Sequence, residues 1–364
     1  MRIIQLIYSL ASGGGERFVV DLSNQLAQLG HDLTICILLD DSLETNVFNK
    51  QFIDKGVKFY SFKFKPGFSL GKVLDVERFL KTQMPDVVHC HLNVIPYIFR
   101  LALINNKINF IHTLHNVASA TCGGRGQWRI NKYFYKKGYI QPVAISGICK
   151  KSYEKFYNLH NALCIDNGRS FVSPSPYFDA VKKEVEGLKI DLNTKVFVHV
   201  ARCHPQKNQV LLIDAFNELY NRGENFVLLI LGNGFDKSEG RLLKQRACSK
   251  IQFLGEKNNV GDYLLCSDAF CLSSNYEGLP ISLLEALSCG LTPICTPVGG
   301  IPDVINDNVN GYLSNDLSVD SYVNAICRFI SAPIEKRKLI EFYKDHYSIE
   351  KCSNEYINKV YLKK

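Results

Sequence analysis

Two glutamates spaced eight residues apart occupy the stretch of this chain best suited to bind a polyhydroxylated ligand. Glu277 and Glu285 lie within residues 273–290, directly after the apolar run of residues 269–272, which has the character of a buried parallel strand. Carboxylate oxygens accept hydrogen bonds from hydroxyl groups, and the start of a helix offers free N–H groups and a positive dipole end to an anion. Acceptors for sugar hydroxyls beside a phosphate site suit an enzyme that uses a nucleotide-sugar.

The local sequence predicts a turn and a helix that hold both carboxylates at the end of this strand. Pro280 suits the first helical position because its missing N–H would be unpaired there, residues 281–287 have helical spacing, and Gly290 is placed to end the helix. Glu277 then stands on the loop and Glu285 on the helix, at the carboxyl edge where open α/β sheets bind ligands. On this stretch alone, solvated glutamates that compensate the helix dipole are an alternative interpretation.

Two basic side chains follow the first predicted strand of the second half. Residues 195–200 form this apolar strand, and Arg202 and Lys207 come directly after it. Arg binds phosphate through two N–H groups at once, and Lys adds a point charge. A later loop, residues 296–303, contains two adjacent glycines and therefore has exposed backbone.

The chain opens with a strand, a glycine turn and a helix. Residues 3–8 predict a buried strand, Gly13, Gly14 and Gly15 form the turn, and an amphipathic helix runs to about residue 29. Such a turn lets backbone N–H groups approach a phosphate, although a plain tight turn explains it equally well. The spacing differs from G-x-G-x-x-G, which disfavours a nicotinamide or flavin enzyme.

One histidine stands at the end of a strand in this first half. His115 follows the strand predicted at residues 110–114, so it faces the same sheet edge as the glycine turn. A structural and a catalytic role are equally open for a lone histidine in this position.

The alternation of strands and helices predicts an α/β protein with two Rossmann-like domains and mostly parallel sheets covered on both faces. We place the first domain at residues 1–168, a linker at 169–194 and the second domain at 195–345. We expect residues 346–364 to form a helix that returns to the first domain. A chain of 364 residues is long enough for two cores.

The positive charge of the chain is concentrated in its first half. Residues 1–170 carry 21 Lys and Arg against 12 Asp and Glu, whereas the net charge of the whole chain is +8. This distribution favours an anionic partner, either a phospholipid surface or a phosphorylated acceptor. Residues 123–157 mix basic and aromatic side chains, which suits a membrane interface, although a solvated helix over buried aromatics is the alternative. No nucleic-acid motif is present, so we expect no nucleic-acid partner.

The cysteine and apolar patterns bear on the compartment of the protein, on metal binding and on membrane-spanning helices. Thirteen cysteines without a Cys-x-x-Cys pair indicate reduced thiols and a cytoplasmic protein. His89, Cys90 and His91 suggest a metal-ligand cluster, but successive strand residues face opposite ways, so we interpret them as the polar end of a strand. No run of 18 apolar residues occurs, and no membrane-spanning helix is predicted.

Taken in order along the chain, these features resemble the retaining GT-B glycosyltransferases of family 4, also called glycosyltransferase group 1. The matching residues are Gly13 to Glu16, His115, Asn167 and Gly168, Arg202 and Lys207, the Glu-x7-Glu motif from Glu277 to Glu285, residues 297–302 (Pro-Val-Gly-Gly-Ile-Pro), and Asn310 to Tyr312. The resemblance covers essentially the whole chain. It departs from the family at Ala201, where many members have glycine, and at residues 165–169, which alter the usual junction motif.

The resemblance implies a cleft between the two domains and a role for each matched residue. Arg202 and Lys207 would neutralise the diphosphate, Glu285 would bind the ribose hydroxyls, and Glu277 the hydroxyls of the donor sugar. His115 would lie near the reaction centre. Backbone groups that bind the donor would come from Gly14, Gly15, Gly278, Leu279, Gly299 and Gly300. The family needs no metal or other cofactor, so phosphate binding by cationic side chains takes the place of a metal.

We therefore expect a cytoplasmic, peripheral membrane, retaining glycosyltransferase with a UDP-sugar as donor in preference to a GDP-sugar. Its acceptor would be a glycan or a lipid-linked glycan in the synthesis of a surface polysaccharide, lipopolysaccharide or capsule, and the basic first half would meet an anionic inner-membrane surface. The alternatives are a synthase or phosphorylase of the same fold with a small soluble acceptor, and a non-catalytic protein that binds sugar nucleotides.

Overall fold

The chain forms two compact units, described here by a computed structural model for residues 1–120 and 122–362. The first unit comprises residues 1–170 together with the chain from Tyr347 onwards, and the second comprises Phe171–His346. Residues 363 and 364 of the predicted C-terminal helix lie outside the described residues. No helix in the described part of the chain has both the length and the apolar character needed to cross a membrane.

The first unit is built on a seven-stranded sheet with the strand order β3-β2-β1-β4-β5-β6-β7, and every pairing in it is parallel. Its strands are β1 (Arg2–Ile7), β2 (Asp32–Leu39), β3 (Lys58–Phe64), β4 (Val87–His91), β5 (Asn109–Leu114), β6 (Gln141–Ala144) and β7 (Leu163–Cys164). Its first helices are α1 (Gly14–Gln28), α2 (Leu70–Gln83), α3 (Ile95–Ile104), α4 (Arg125–Lys137) and α5 (Gly147–Tyr157).

Alternation along each strand gives this sheet two apolar faces. Ile4 and Leu6 of β1 pack in one core with α2 to α5, whereas Ile3 and Ile7 pack in a second core with α1. Both faces are buried, so the strands contain almost continuous apolar runs, as expected for a parallel sheet covered by helices.

The second unit repeats this plan with a six-stranded parallel sheet in the order β10-β9-β8-β11-β12-β13. The strands are β8 (Lys195–Val200), β9 (Phe226–Leu231), β10 (Ile251–Gly255), β11 (Ala269–Leu272), β12 (Thr292–Cys295) and β13 (Tyr312–Leu313). The helices are α6 (Phe178–Gly187), α7 (Gln209–Asn221), α8 (Ser238–Arg246), α9 (Val260–Leu265), α10 (Ile281–Ser288), α11 (Ile301–Val304), α12 (Val319–Ser331) and α13 (Lys336–Tyr347).

The segment predicted as a linker, residues 169–194, differs from that prediction because most of it is folded onto the second unit. Helix α6 buries Val181 and Val185, and the Glu184 carboxylate accepts a hydrogen bond of 2.9 Å from the Tyr263 hydroxyl on α9. Ser175 is bonded to the carboxylate of Asp262 through both its N–H and its hydroxyl. Most residues of α6 are polar, so its narrow apolar stripe was not recognised in the sequence.

The chain returns to the first unit at its C-terminal end, as predicted. Helix α14 (Ile349–Tyr356) and the π-helical turn after it, Ile357–Tyr361, pack in the core that contains α1. Arg169 is tied to this return by backbone hydrogen bonds to Tyr347 and Ile349 and by an ion pair with Asp21 of α1. Both crossings of the chain between the units are therefore anchored to the first unit.

Candidate active site

An ion pair joins two of the predicted site residues in the second unit. Lys207 ends a 3₁₀ turn, Pro205–Lys207, after β8, and Glu277 stands in the loop after β11. The Lys207 Nζ lies 2.5 Å from the Glu277 Oε1, and the two side chains are only 17% and 6% exposed. Adjacent parallel strands end at the same sheet edge, which explains how residues 70 positions apart meet.

Two further side chains hold the Glu277 carboxylate. The Ser274 hydroxyl donates to Oε1 at 2.6 Å, and the Gln206 amide nitrogen lies 3.5 Å from Oε2 and 3.0 Å from the carbonyl oxygen of Tyr276. The carboxylate is therefore fixed by partners on both loops. Sequence reasoning missed Ser274 and Gln206. The available signals were the position of Ser274 two residues after a strand and that of Gln206 directly before Lys207.

The glycine pair of residues 296–303 allows a close approach of two backbones. Gly299 has a φ of +57°, and a Cβ atom there would lie 1.8 Å from the carbonyl oxygen of Glu277. The Gly300 N–H donates to the carbonyl oxygen of Gly278 at 2.8 Å. These two glycines therefore pack the loop of Glu277 in place, and the Gly300 N–H already has a partner.

Arg202 occupies an exposed position on the loop after β8. The Gln209 amide nitrogen donates to the Arg202 carbonyl oxygen at 2.9 Å and lies 3.3 Å from the Nε2 of His199, whose Nδ1–H donates to the carbonyl oxygen of Cys271 at 2.9 Å. Burial lowers the pKa of His199 to about 4, so this ring is neutral and links the loop to the core. Within the described part of the chain, the Arg202 guanidinium has no hydrogen-bond or ion-pair partner.

The remaining predicted residues of the second unit lie on or beside α10. Glu285 is half-buried on the helix, and the side chain of Leu279 is buried in the loop before it. Pro280 is the residue before the helix rather than its first residue, and Gly290 ends the helix with a φ of +71°. The structure thus joins Lys207 to Glu277 directly and leaves Glu285 on the neighbouring helix.

The glycine turn of the first unit lies against His115. Helix α1 begins at Gly14, after Gly13 in extended conformation. A Cβ atom on Gly15 would lie 3.2 Å from the Cγ of the His115 ring, so glycine lets the start of α1 come this close without displacing the ring. The Phe18 ring packs edge-on against the same imidazole at 5.5 Å between centroids. The structure therefore brings Gly15 and His115 together.

His115 belongs to a chain of polar side chains that the sequence analysis did not predict. Its Nε2 lies 2.9 Å from the Nδ1 of His91, and the Nε2 of His91 lies 2.7 Å from the Oε1 of Gln5. Burial, with a smaller contribution from His112, lowers the pKa of His115 to about 3, and burial also lowers the pKa of His91 strongly. Both rings are therefore neutral at physiological pH.

The His-Cys-His run is the end of a strand, as interpreted, but its two histidines share one face. His89 and His91 are two residues apart on β4, and their ring centroids lie 4.0 Å apart. The nitrogens of His89 are bonded to the hydroxyls of Tyr361 and Thr113. In the described part of the chain, no three His, Cys, Asp or Glu side chains are placed to hold a metal ion.

The basic aromatic segment is divided between core and surface. Phe134, Tyr135 and Tyr153 are buried, whereas the lysines at 136 and 137 are exposed. Most of these aromatic rings therefore serve the core of the first unit. The exposed cationic side chains remain as the part of this segment that can meet an anionic partner.

Comparison with known families identifies the family to which the chain belongs. Residues 181–346 match the glycosyl transferases group 1, and residues 12–165 match Glycosyltransferase Family 4. This chain belongs to the family 4, group 1 glycosyltransferases. Both matches fall where the two units and their predicted site residues lie, and the fold of this glycosyltransferase is GT-B.

Curated relatives and solved structures agree with this assignment. The glycosyltransferase is 26% identical, over 70% of its length and 69% of the relative, to an Escherichia coli UDP-Gal:alpha-D-GlcNAc-diphosphoundecaprenol alpha-1,3-galactosyltransferase. It is 25% identical to N-acetyl-alpha-D-glucosaminyl L-malate synthase of Bacillus anthracis, over 83% and 80% of the two chains. The crystal structure of Anabaena HepE in complex with UDP has a TM-score of 0.79 at 17% identity, covering 99% of each chain.

Proposed function

We propose that this glycosyltransferase transfers a sugar, with retention of configuration and without a metal, from a UDP-sugar to a glycan or lipid-linked acceptor. The observation that supports it most directly is the buried pair of Lys207 and Glu277 at the carboxyl edge of the second sheet. A cation for phosphate and a carboxylate for hydroxyl groups lie within one hydrogen bond of each other there.

In this proposal, the second unit binds the donor. Arg202 and Lys207 neutralise the diphosphate as charge develops on the leaving group, which is the contribution a metal makes in other enzymes. Glu277 accepts hydrogen bonds from the donor sugar, and Glu285 from the ribose. Gly278, Leu279, Gly299 and Gly300 shape the loop around the phosphates. The Arg202 guanidinium is exposed and therefore accessible to a ligand, which supports its proposed role in binding the diphosphate.

The first unit contributes His115 and the start of α1. Backbone N–H groups at Gly14 and Gly15 would approach the phosphates, since the first N–H groups of a helix have no partner within it. His115, neutral because of its burial, would accept a hydrogen bond from a hydroxyl of the donor sugar. This neutral state favours a hydrogen-bonding role over proton donation at physiological pH.

The acceptor is proposed from the relatives and from the charge distribution. The Escherichia coli relative is named for a diphosphoundecaprenol-linked acceptor, and a related solved structure is that of WaaG, a glycosyltransferase involved in lipopolysaccharide biosynthesis. With a lipid-linked acceptor, the enzyme would act at the cytoplasmic face of the membrane. The excess of Lys and Arg in residues 1–170 would then contact anionic headgroups.

A panel of nucleotides tests the donor assignment. Thermal unfolding is measured with UDP, GDP, ADP, CMP and dTDP, for the wild type and for Arg202→Gln. A nucleotide at 100 times its dissociation constant adds about 2.7 kcal/mol of stability. We expect stabilisation by UDP in the wild type and much less in Arg202→Gln. Stabilisation by GDP alone would refute the UDP assignment, and no shift with any nucleotide would contradict the donor site.

A small soluble acceptor is the second candidate, because the Bacillus anthracis relative is named as an N-acetyl-alpha-D-glucosaminyl L-malate synthase. Co-sedimentation with vesicles of anionic or neutral phospholipid separates the two. Binding to anionic vesicles that is lost in high salt and in Lys136→Glu/Lys137→Glu supports the lipid-linked acceptor. Transfer to a soluble acceptor without any vesicle binding supports the second candidate.

A further inference from the structure

Two buried side-chain nitrogens of the first unit have no hydrogen-bond partner among the described residues: the Nε2 of Gln5 and the Nδ1 of His115. The Nδ1 of His115 belongs to the ring that lies against the glycine turn. The other ring nitrogen, Nε2, is bonded to His91. Buried polar atoms are normally paired, so an unpaired one beside the glycine turn indicates a group reserved for a ligand.

The chain from Gln5 to His115 determines which of these nitrogens carries the proton. An amide oxygen only accepts, so the Nε2 of His91 must donate to the Oε1 of Gln5. A neutral imidazole has one donor, which leaves the Nδ1 of His91 as an acceptor. The Nε2 of His115 must then donate to it, and the Nδ1 of His115 is left as a bare acceptor.

The first link depends on which way the Gln5 amide points. The amide oxygen of Gln5 faces the Nε2 of His91 at 2.7 Å, and the amide nitrogen has no hydrogen-bond partner among the described residues. A reversed amide would instead put the hydrogen of His115 on Nδ1, which a measurement of the tautomer detects.

We propose that His91 is a positioning residue that holds His115 with its hydrogen on Nε2, so that the Nδ1 of His115 accepts a hydrogen bond from a hydroxyl of the donor sugar. This inference rests on the proposed role of His115. It adds that His91 and Gln5 set the direction of that hydrogen bond without touching the substrate.

The tautomer can be observed directly in the protein without substrate. Long-range proton–nitrogen correlation spectra of the protein labelled with ¹⁵N-histidine distinguish a protonated from a bare ring nitrogen, and His115→Gln identifies the signals by their loss. We expect Nε2 protonated and Nδ1 bare in the wild type. In His91→Leu we expect a mixture of both tautomers.

A matched pair of variants connects the tautomer to activity, because Asn and Leu have nearly the same shape. In His91→Asn, the amide oxygen can still accept from His115, whereas His91→Leu has no acceptor. We expect a loss of kcat of roughly 10- to 100-fold in His91→Leu, by analogy with partners that orient metal-bound histidines, and a much smaller loss in His91→Asn. The Kd for UDP should be unchanged in both.

Tyr135→Phe is the control for damage to the core. It removes the hydroxyl bonded to the Nδ1 of His112 at 2.7 Å, in the same core but outside the chain from Gln5 to His115. It should lower the melting temperature without lowering kcat. Equal kcat losses in His91→Leu and His91→Asn, or in His91→Leu and Tyr135→Phe, would overturn the inference.

The two proposals fail in different ways. A protonated Nδ1 on His115 in an active enzyme would overturn the positioning inference alone. A bare Nδ1 in a protein that binds no nucleotide and transfers no sugar would overturn the proposed function alone.

Discussion

Replacing Lys207 by Gln should destabilise the second unit far more than replacing an ordinary surface lysine. The Glu277 side chain is only 6% exposed. Without Lys207, the Ser274 hydroxyl would be the one close hydrogen-bond donor left to its carboxylate. Removing one partner of a buried ion pair costs about 3–5 kcal/mol. Lys207 itself is 17% exposed, so water can partly replace it. We therefore expect Lys207→Gln to lower the free energy of unfolding by about 3 kcal/mol, at the lower end of this range.

Two comparisons isolate the pair. Lys338→Gln breaks an exposed pair with Glu335 at 3.7 Å, which should cost at most about 1 kcal/mol. Lys207→Gln/Glu277→Gln removes both charges, so it should be more stable than the sum of the two single variants predicts. The measurement is the melting temperature, where about 3 kcal/mol corresponds to a decrease of roughly 6–12 °C for a unit of this size.

The reasoning would be refuted by either of two results. Equal decreases in Lys207→Gln and Lys338→Gln would mean that the pair is weak in solution. Additive losses in the double variant would mean that Lys207 and Glu277 do not interact energetically. In both cases, the ion pair could no longer be used to explain the local structure of the site.

Two other predictions follow from close contacts and from buried histidines. Gly299→Ala should abolish UDP binding in an otherwise folded protein, because its Cβ would overlap the Glu277 carbonyl oxygen, and unchanged UDP binding in calorimetry would contradict this. Acid should destabilise the first unit, because His112 and His115 have pKa values lowered from 6.5 to about 4 and about 3. Well above pH 6.5, both residues are neutral in the folded and the unfolded protein. By pH 5.5 the unfolded chain binds protons at these residues and the folded protein does not, so each histidine lowers the free energy of unfolding, measured in denaturant titrations, by about 1.4 kcal/mol. His115→Gln should remove one such loss, and an unchanged pH slope would contradict it.

The order of strands and helices could be predicted because it depends on local apolar patterns. The strand at residues 269–272 was predicted with the bounds that the structure gives, and α1 ends one residue before the predicted position. Parallel strands buried on both faces produce short apolar runs that are easily recognised. Gly278 and Pro280 then located the loop that carries Glu277, and the end of the strand at residues 110–114 located His115.

The contacts among side chains could not be predicted in the same way, because they depend on which strands are neighbours. Lys207 and Glu277 were both assigned to the site, but their pairing requires β8 and β11 to be adjacent, which the sequence order conceals. His91 was set aside as the end of a strand. Its importance appears only when β4 and β5 lie side by side and bring its ring to His115.

The ion pair also predicts how the enzyme would distinguish the proposed UDP-sugar donor from UDP. If Lys207 turns towards the diphosphate, Glu277 loses its cation, and hydroxyls of an intact donor sugar would replace that contact whereas UDP would not. Because hydrogen bonds to charged groups contribute about 1.5–3 kcal/mol each, the donor should bind about tenfold or more tightly than UDP. In Glu277→Gln this preference should shrink, and UDP should bind more tightly than in the wild type, since Lys207 is no longer paired.

Glu285→Gln is the matched control in calorimetry without acceptor, because the proposed ribose contact is common to donor and UDP. It should weaken both ligands by the same factor and keep the preference for the donor. If Glu277→Gln instead weakened UDP and donor equally, Glu277 would serve the loop structure alone, and the sugar would have to be recognised elsewhere. A preference that disappears in Glu277→Gln and persists in Glu285→Gln would place recognition of the sugar at Glu277 and make separation of the ion pair part of donor binding.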